Sequence, residues 1–130
     1  MAQLEKLGRR QSARSLYDEV LSRRRRMLGE DHRDTLRSAR DLAWLLMSLG
    51  ERRRAGDLLQ DLVPRMRRVY GPEHTDTLNM SVILAGVLGT LGKHSEARVL
   101  AEETFARQRR ILSPDHPDIK MTLQILAALR

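Results

Sequence analysis

Apolar residues along this chain fall at spacings of three and four, the signature of helices that bury one stripe. From about Asp34 to Leu49 the stripe holds Leu42, Leu45, Leu46 and Leu49. Gly50 follows, where a helix exit favours a left-handed residue. From about Arg52 to Tyr70 a second stripe holds Ala55, Leu58, Leu59, Leu62, Val63, Met66 and Val69, and Gly71 ends it. The spacing predicts two amphipathic helices joined by a tight turn.

The pair recurs. Leu28-Gly29-Glu30-Asp31-His32-Arg33-Asp34-Thr35-Leu36 returns 42 residues later as Tyr70-Gly71-Pro72-Glu73-His74-Thr75-Asp76-Thr77-Leu78. It returns again, at the same offset, as Leu112-Ser113-Pro114-Asp115-His116-Pro117-Asp118-Ile119-Lys120. Leu7-Gly8, Leu49-Gly50 and Leu91-Gly92 keep the period. So do Ala13, Ala55 and Ala97, then Leu16, Leu58 and Leu100, and Leu42-Ala43, Leu84-Ala85 and Leu126-Ala127. The recurring alanines mark places where helices approach closely. A single helix pair cannot bury its stripe, whereas stacked pairs can.

The fold class expected is therefore all-α, an α-solenoid of antiparallel helix pairs with about three 42-residue repeats. One array spans 1–130, with units at roughly 1–32, 33–74, 75–116 and 117–130. Its phase opens on the tail of a first helix near Gln3 to Leu7 and closes inside another, as a fragment of a longer array would. The last helix is expected to expose Leu123, Leu126 and Leu129, and a homodimer through that uncapped end is one expectation.

The loops read as helix punctuation. Pro117 suits a first helical position, where its missing N–H costs nothing. Asp34, Asp76 and Asp118 fall in first turns, where the helix dipole favours an anion. His32, His74 and His116 are expected to cap. They stand one per repeat, too far apart to share a metal ion at about 2 Å bond lengths, and His94 is a lone loop histidine. Pro64 lies inside a second helix and is expected to kink it. No paired carboxylates, phosphate loop, nucleophile elbow or zinc-protease helix stands out, so no enzyme, cofactor or metal is expected.

Composition sharpens the picture. Aromatics are 3% and apolar residues 41% of the chain, which favours helices over strands. There is no cysteine, so no disulfide framework or thiolate site, which fits a reducing compartment. No apolar run nears the roughly 20 residues of a membrane span, and a cytoplasmic location without membrane contact is expected. The net charge is +7, and of the 24 cationic residues 21 are arginine. Arg23 to Arg26 form the densest run. Arg25, Arg67 and Arg109 fall in register, as do Arg26, Arg68 and Arg110, so a basic edge that binds nucleic acid is one reading.

The Leu42-Ala43, Leu46, Gly50, Ala55 and Leu59 pattern, with the loop Gly71-Pro72-Glu73-His74, resembles the tetratricopeptide repeat. It is similar to the longer type in kinesin light chains and bacterial regulators. Against the usual 34 residues, about eight more lengthen the second helix by about two turns. Kinesin light chains carry paired asparagines where this chain has Arg40-Asp41, Val82-Ile83 and Gln124-Ile125, so their cargo recognition is not implied. The resemblance implies a protein–protein interaction scaffold, the docking or sensing part of a larger regulator, that binds a protein or peptide on a concave face lined by first helices. Carried over by repeat position, that groove holds Arg37, Arg40, Trp44 and Met47, then Asn79, Val82 and Gly86, then Met121 and Gln124. Trp44 beside Arg37 and Arg40 would anchor an acidic or C-terminal peptide, or else fill the core. A self-associating structural spacer is the remaining alternative.

Overall fold

The computed structural model describes Ala2 to Leu129, with side chains from Gly8 onward, and among these residues every regular element is an α-helix. In order they are α1 (Ala2–Leu28), α2 (Arg33–Ser48), α3 (Arg52–Val69), α4 (Thr75–Thr90), α5 (His94–Ile111) and α6 (Pro117–Ala128). Contacts divide the chain into two compact units, residues 1–65 and 66–130. Short connections force neighbouring helices to run antiparallel.

In the first unit α1 packs on α2, and the start of α3 closes over them. Leu36, Ala39, Leu42, Ala43 and Leu46 of α2 are buried, as are Leu59, Leu62 and Val63 of α3. Ala55 has no exposed surface, as its recurrence anticipated. In the second unit α5 packs on both α4 and α6, and α4 also touches α6. Leu78, Leu84, Ala85, Val87, Leu88, Ala97, Ala101 and Ile119 form its core.

The loop repeat works as a set of matched caps. The imidazole Nδ1 of His32, His74 and His116 accepts a hydrogen bond from the backbone N–H two residues on, at 3.0, 3.1 and 3.1 Å. Each histidine is thus the N-cap of a first helix, a role more often filled by serine, threonine, aspartate or asparagine. Pro117 opens α6 as expected, and Asp34, Asp76 and Asp118 lie in first turns. At the other ends Gly50 (φ 76°) and Gly92 (φ 85°) let the chain turn back. Glu51 N–H then bonds Leu46 O, and Lys93 N–H bonds Leu88 O, both at 2.9 Å, satisfying carbonyls that each helix end would leave free.

Each second helix is tied to the following first helix at one register position. Arg24 Nη1 donates to Ser38 Oγ at 2.7 Å and to Asp34 O at 3.1 Å. One repeat on, Met66 and Met80 hold the corresponding positions and are both buried. One further on, Gln108 Oε1 accepts from Thr122 Oγ1 at 2.7 Å, and its Nε2 donates to Asp118 O at 3.4 Å. Polar meets polar or apolar meets apolar, so no joint buries an unmatched polar group.

The structure corrects several expectations. Gly8 shares the register of Gly50 and Gly92, yet α1 runs through it and its φ is not positive. A glycine permits a left-handed turn without imposing one, and a helix interior tolerates it at about 1 kcal/mol. Residues 3–7 therefore belong to α1 itself and do not form the tail of a separate first helix. Leu129, expected to be exposed, is 5% exposed: it lies against Gly89, where an added Cβ would stand 3.0 Å from its Cδ2. Leu123 is exposed, and Leu126 half so. His94 is no loop residue but the first of α5. Ala127, unlike Ala43 and Ala85, is exposed.

Candidate functional site

The outward stripe of α2 is built by helical spacing. Arg33, Arg37, Arg40, Trp44 and Met47 follow one another at three or four residues and so share one face. The opposite stripe, Leu36, Ala39, Leu42, Ala43 and Leu46, is drawn into the core and holds the first in solvent. Trp44 is 52% exposed, which settles its place: it is a surface indole, not a core filler. Arg37 is exposed and has no carboxylate partner among the described residues, whereas Arg40 Nη2 lies 3.6 Å from Asp41 Oδ1. Met47 is half-buried beside the indole's turn.

In the second unit the residues at those register positions differ. Asn79 is half-buried, and Gln124 and Met121 are exposed. Val82, placed in the groove by register, is 3% exposed and presents almost no surface. Gly86 and Gly89 stand where α2 has Trp44 and Met47. Both line a cavity of about 440 Å³ between α4 and α6, walled by Ala85, Ile125, Ala128 and Leu129 with Gln124, Thr90 and His94 at its polar margin.

The arginines at the ends of the second helices sit where the helix dipole favours cations. Several are already turned onto carboxylates or a ring. Arg25 lies 3.5 Å from Glu30, Arg67 4.0 Å from Glu103 and Arg110 3.2 Å from Glu73, and the Arg109 guanidinium is 5.5 Å from the centre of the Phe105 ring. Arg26 and Arg68 are exposed.

Two features went unread in the sequence. A charged cavity of about 580 Å³ is lined by Arg25, Glu30, Arg54, Asp57, Leu58, Asp61 and Arg65. Arg65 bonds Asp31 at 3.0 Å and Asp61 at 3.1 Å, with Glu30 at 3.7 Å. Hydrogen bonds to Asp61 and then Asp31 raise its already high pKa, so it stays charged throughout the accessible pH range. A smaller cleft of about 160 Å³ between α1 and α2 is lined by Leu16, Tyr17, Val20, Arg24, Ser38 and Asp41. The three loop histidines serve as caps, and no group of metal-binding side chains occurs among the described residues.

Two models described as "Tetratricopeptide repeat" match the chain, over residues 2–65 and 83–118, and the chain belongs to this family. Solved structures point to the longer, kinesin-light-chain-like type. A kinesin light chain of Podosopora anserina with nearly identical TPR-like repeats superposes with a TM-score of 0.84 at 26% identity, over 98% of this chain and 61% of that one. A variant of it gives 0.86 at 26% identity, over 98% and 60%. BtubC (BKLC) of P. vanneervenii gives 0.80 at 18% identity, over 94% and 49%. The chain thus spans about 60% or less of the length of these neighbours. No curated protein matches. Repeats of this family are protein–protein interaction scaffolds, typically without enzymatic activity. No described helix is long and apolar enough to cross a membrane.

Proposed function

We propose that this chain is the docking part of a larger cytoplasmic regulator, and that it binds an acidic protein segment on the outward face of α2. The observation that carries this reading is Trp44, the chain's only tryptophan, 52% exposed on the stripe that bears Arg37 and Arg40. An exposed indole has a large area to bury and few rotors to freeze, which suits a binding anchor. The adjacent guanidinium groups favour carboxylates on the partner.

The nucleic-acid reading has less support. Three of the six arginines in register lie against carboxylates and a fourth over a phenyl ring, so much of their field is already answered. Aromatics for stacking bases make up only 3% of the chain.

The test is capture from source-cell lysate on immobilised protein, with and without nuclease. A protein that survives nuclease and is lost with Trp44→Ala, while helicity is kept, is the expected result. Retention that disappears with nuclease, and with charge reversal at Arg25, Arg67 and Arg109, would move the assignment to nucleic acid. In that case affinity would also fall steeply with salt, as counterions are released from phosphates.

A further inference from the structure

Pro64 stands inside α3, which runs through it from Arg52 to Val69. Its ring nitrogen carries no hydrogen, so the carbonyl of Gln60 loses its helical donor, and the ring crowds that same carbonyl. Burial explains why the helix continues. Leu59, Leu62, Val63 and Met66, on both sides of the proline, are each at most 2% exposed, whereas Pro64 itself faces solvent. The packed stripe holds a turn that the backbone leaves one bond short. The break adjoins Arg65, where the first compact unit ends.

Side chains bridge the same turn. Arg65 Nε donates to Asp61 Oδ2 at 3.1 Å, one turn back along the helix. Its Nη1 donates to Asp31 Oδ1 at 3.0 Å and its Nη2 lies 3.7 Å from Glu30 Oε2, both on the loop before α2. One repeat on, Ala106 takes the place of the proline and Arg107 that of the arginine, with Glu103 and Glu73 where Asp61 and Asp31 stand. There the carboxylates go elsewhere. Glu103 lies 4.0 Å from Arg67 and Glu73 3.2 Å from Arg110, and Arg107 has no carboxylate within ion-pair distance among the described residues. The same residue types are available at both places, and only the helix with the missing backbone bond gathers them on its arginine. We propose that α3 carries a latched hinge, with Pro64 as its pivot and Arg65 on Asp61, Asp31 and Glu30 as its latch. The latch consists of part-exposed ion pairs, which salt screens, so ionic strength sets how often the turn after Pro64 opens. The device uses neither Trp44 nor the face of α2 that carries it.

Amide hydrogen exchange of the full chain, read residue by residue by NMR, tests it. The probes are the amides of Arg65, Met66 and Arg67, and the equivalent amides of Arg107, Gln108 and Arg109 in α5 are the reference. Raising NaCl from about 0.1 M to about 1 M shortens the Debye length from about 10 Å to about 3 Å. The α3 amides should then exchange about fivefold faster relative to those of α5, the most that part-exposed ion pairs supply. Arg65→Gln should give that acceleration already at low salt and abolish the salt response. Pro64→Ala, which installs the residue of the unbroken helix, should slow the α3 amides and remove their response to salt. The α5 amides show in each variant that the chain remains folded. α3 and α5 amides that respond to salt alike, as they would if both exchanged only through global unfolding, overturn the proposal. So do α3 rates unmoved by Arg65→Gln, or a salt response that survives Pro64→Ala.

Discussion

Single side chains set where each first helix begins. His74 Nδ1 accepts the Asp76 N–H at 3.1 Å. His74→Ala should therefore lower stability by about 0.5–2 kcal/mol in urea denaturation, while His74→Asn, a better-suited cap, should not. An equal loss for both would show that the imidazole packs rather than caps. Ala55 has no exposed surface, and Ala55→Leu should overpack the first unit at a cost of about 1–3 kcal/mol, read as a lower melting temperature. The capping role of the histidines was legible from their place before each first turn. Their nitrogen's part was not, since a side-chain torsion decides it.

At the scale of elements, the joint residues carry the most information. Gln108→Met removes the amide that meets Asp118 O and the oxygen that meets Thr122 Oγ1, and should cost about 1–3 kcal/mol. Adding Thr122→Met recreates the Met66 and Met80 combination, so the double variant should recover part of the loss, with a coupling of about 0.5–3 kcal/mol. Strict additivity would contradict the matched-joint account. Arg65 and its three carboxylates are half-exposed, and Arg65→Gln should cost no more than about 1 kcal/mol, less in high salt. The bounds of α2 and α3 were readable to within a residue, because glycine exits and a histidine entry frame their stripes. The break at Gly8 and the exposure of Leu129 were misjudged for one reason: register states which residue is equivalent, not which neighbour it meets. Leu129 is covered because Gly89 lets it approach.

For the whole molecule, the family and all-helical class were plain in the 42-residue period, and the models and solved structures agree. The site was legible only in outline. Spacing put Trp44 on the stripe of Arg37 and Arg40, but an indole is large enough to be drawn under a neighbouring helix, and only packing decides. Val82 shows the reverse case, a groove position by register that packing buries. The basic edge looked continuous as a list of arginines. In the structure Glu30, Glu73 and Glu103 take up much of it, and those partners lie 5 to 37 residues away in sequence.

The most direct test places a photoreactive amino acid at position 44, and separately at position 26, in the full chain inside source cells. Exposure of Trp44, and the carboxylates already paired with Arg25, Arg67 and Arg110, predict a discrete protein adduct from position 44 that Arg37→Glu abolishes, and little from position 26. Nucleic-acid adducts from position 26, with none of either kind from position 44, would contradict the account.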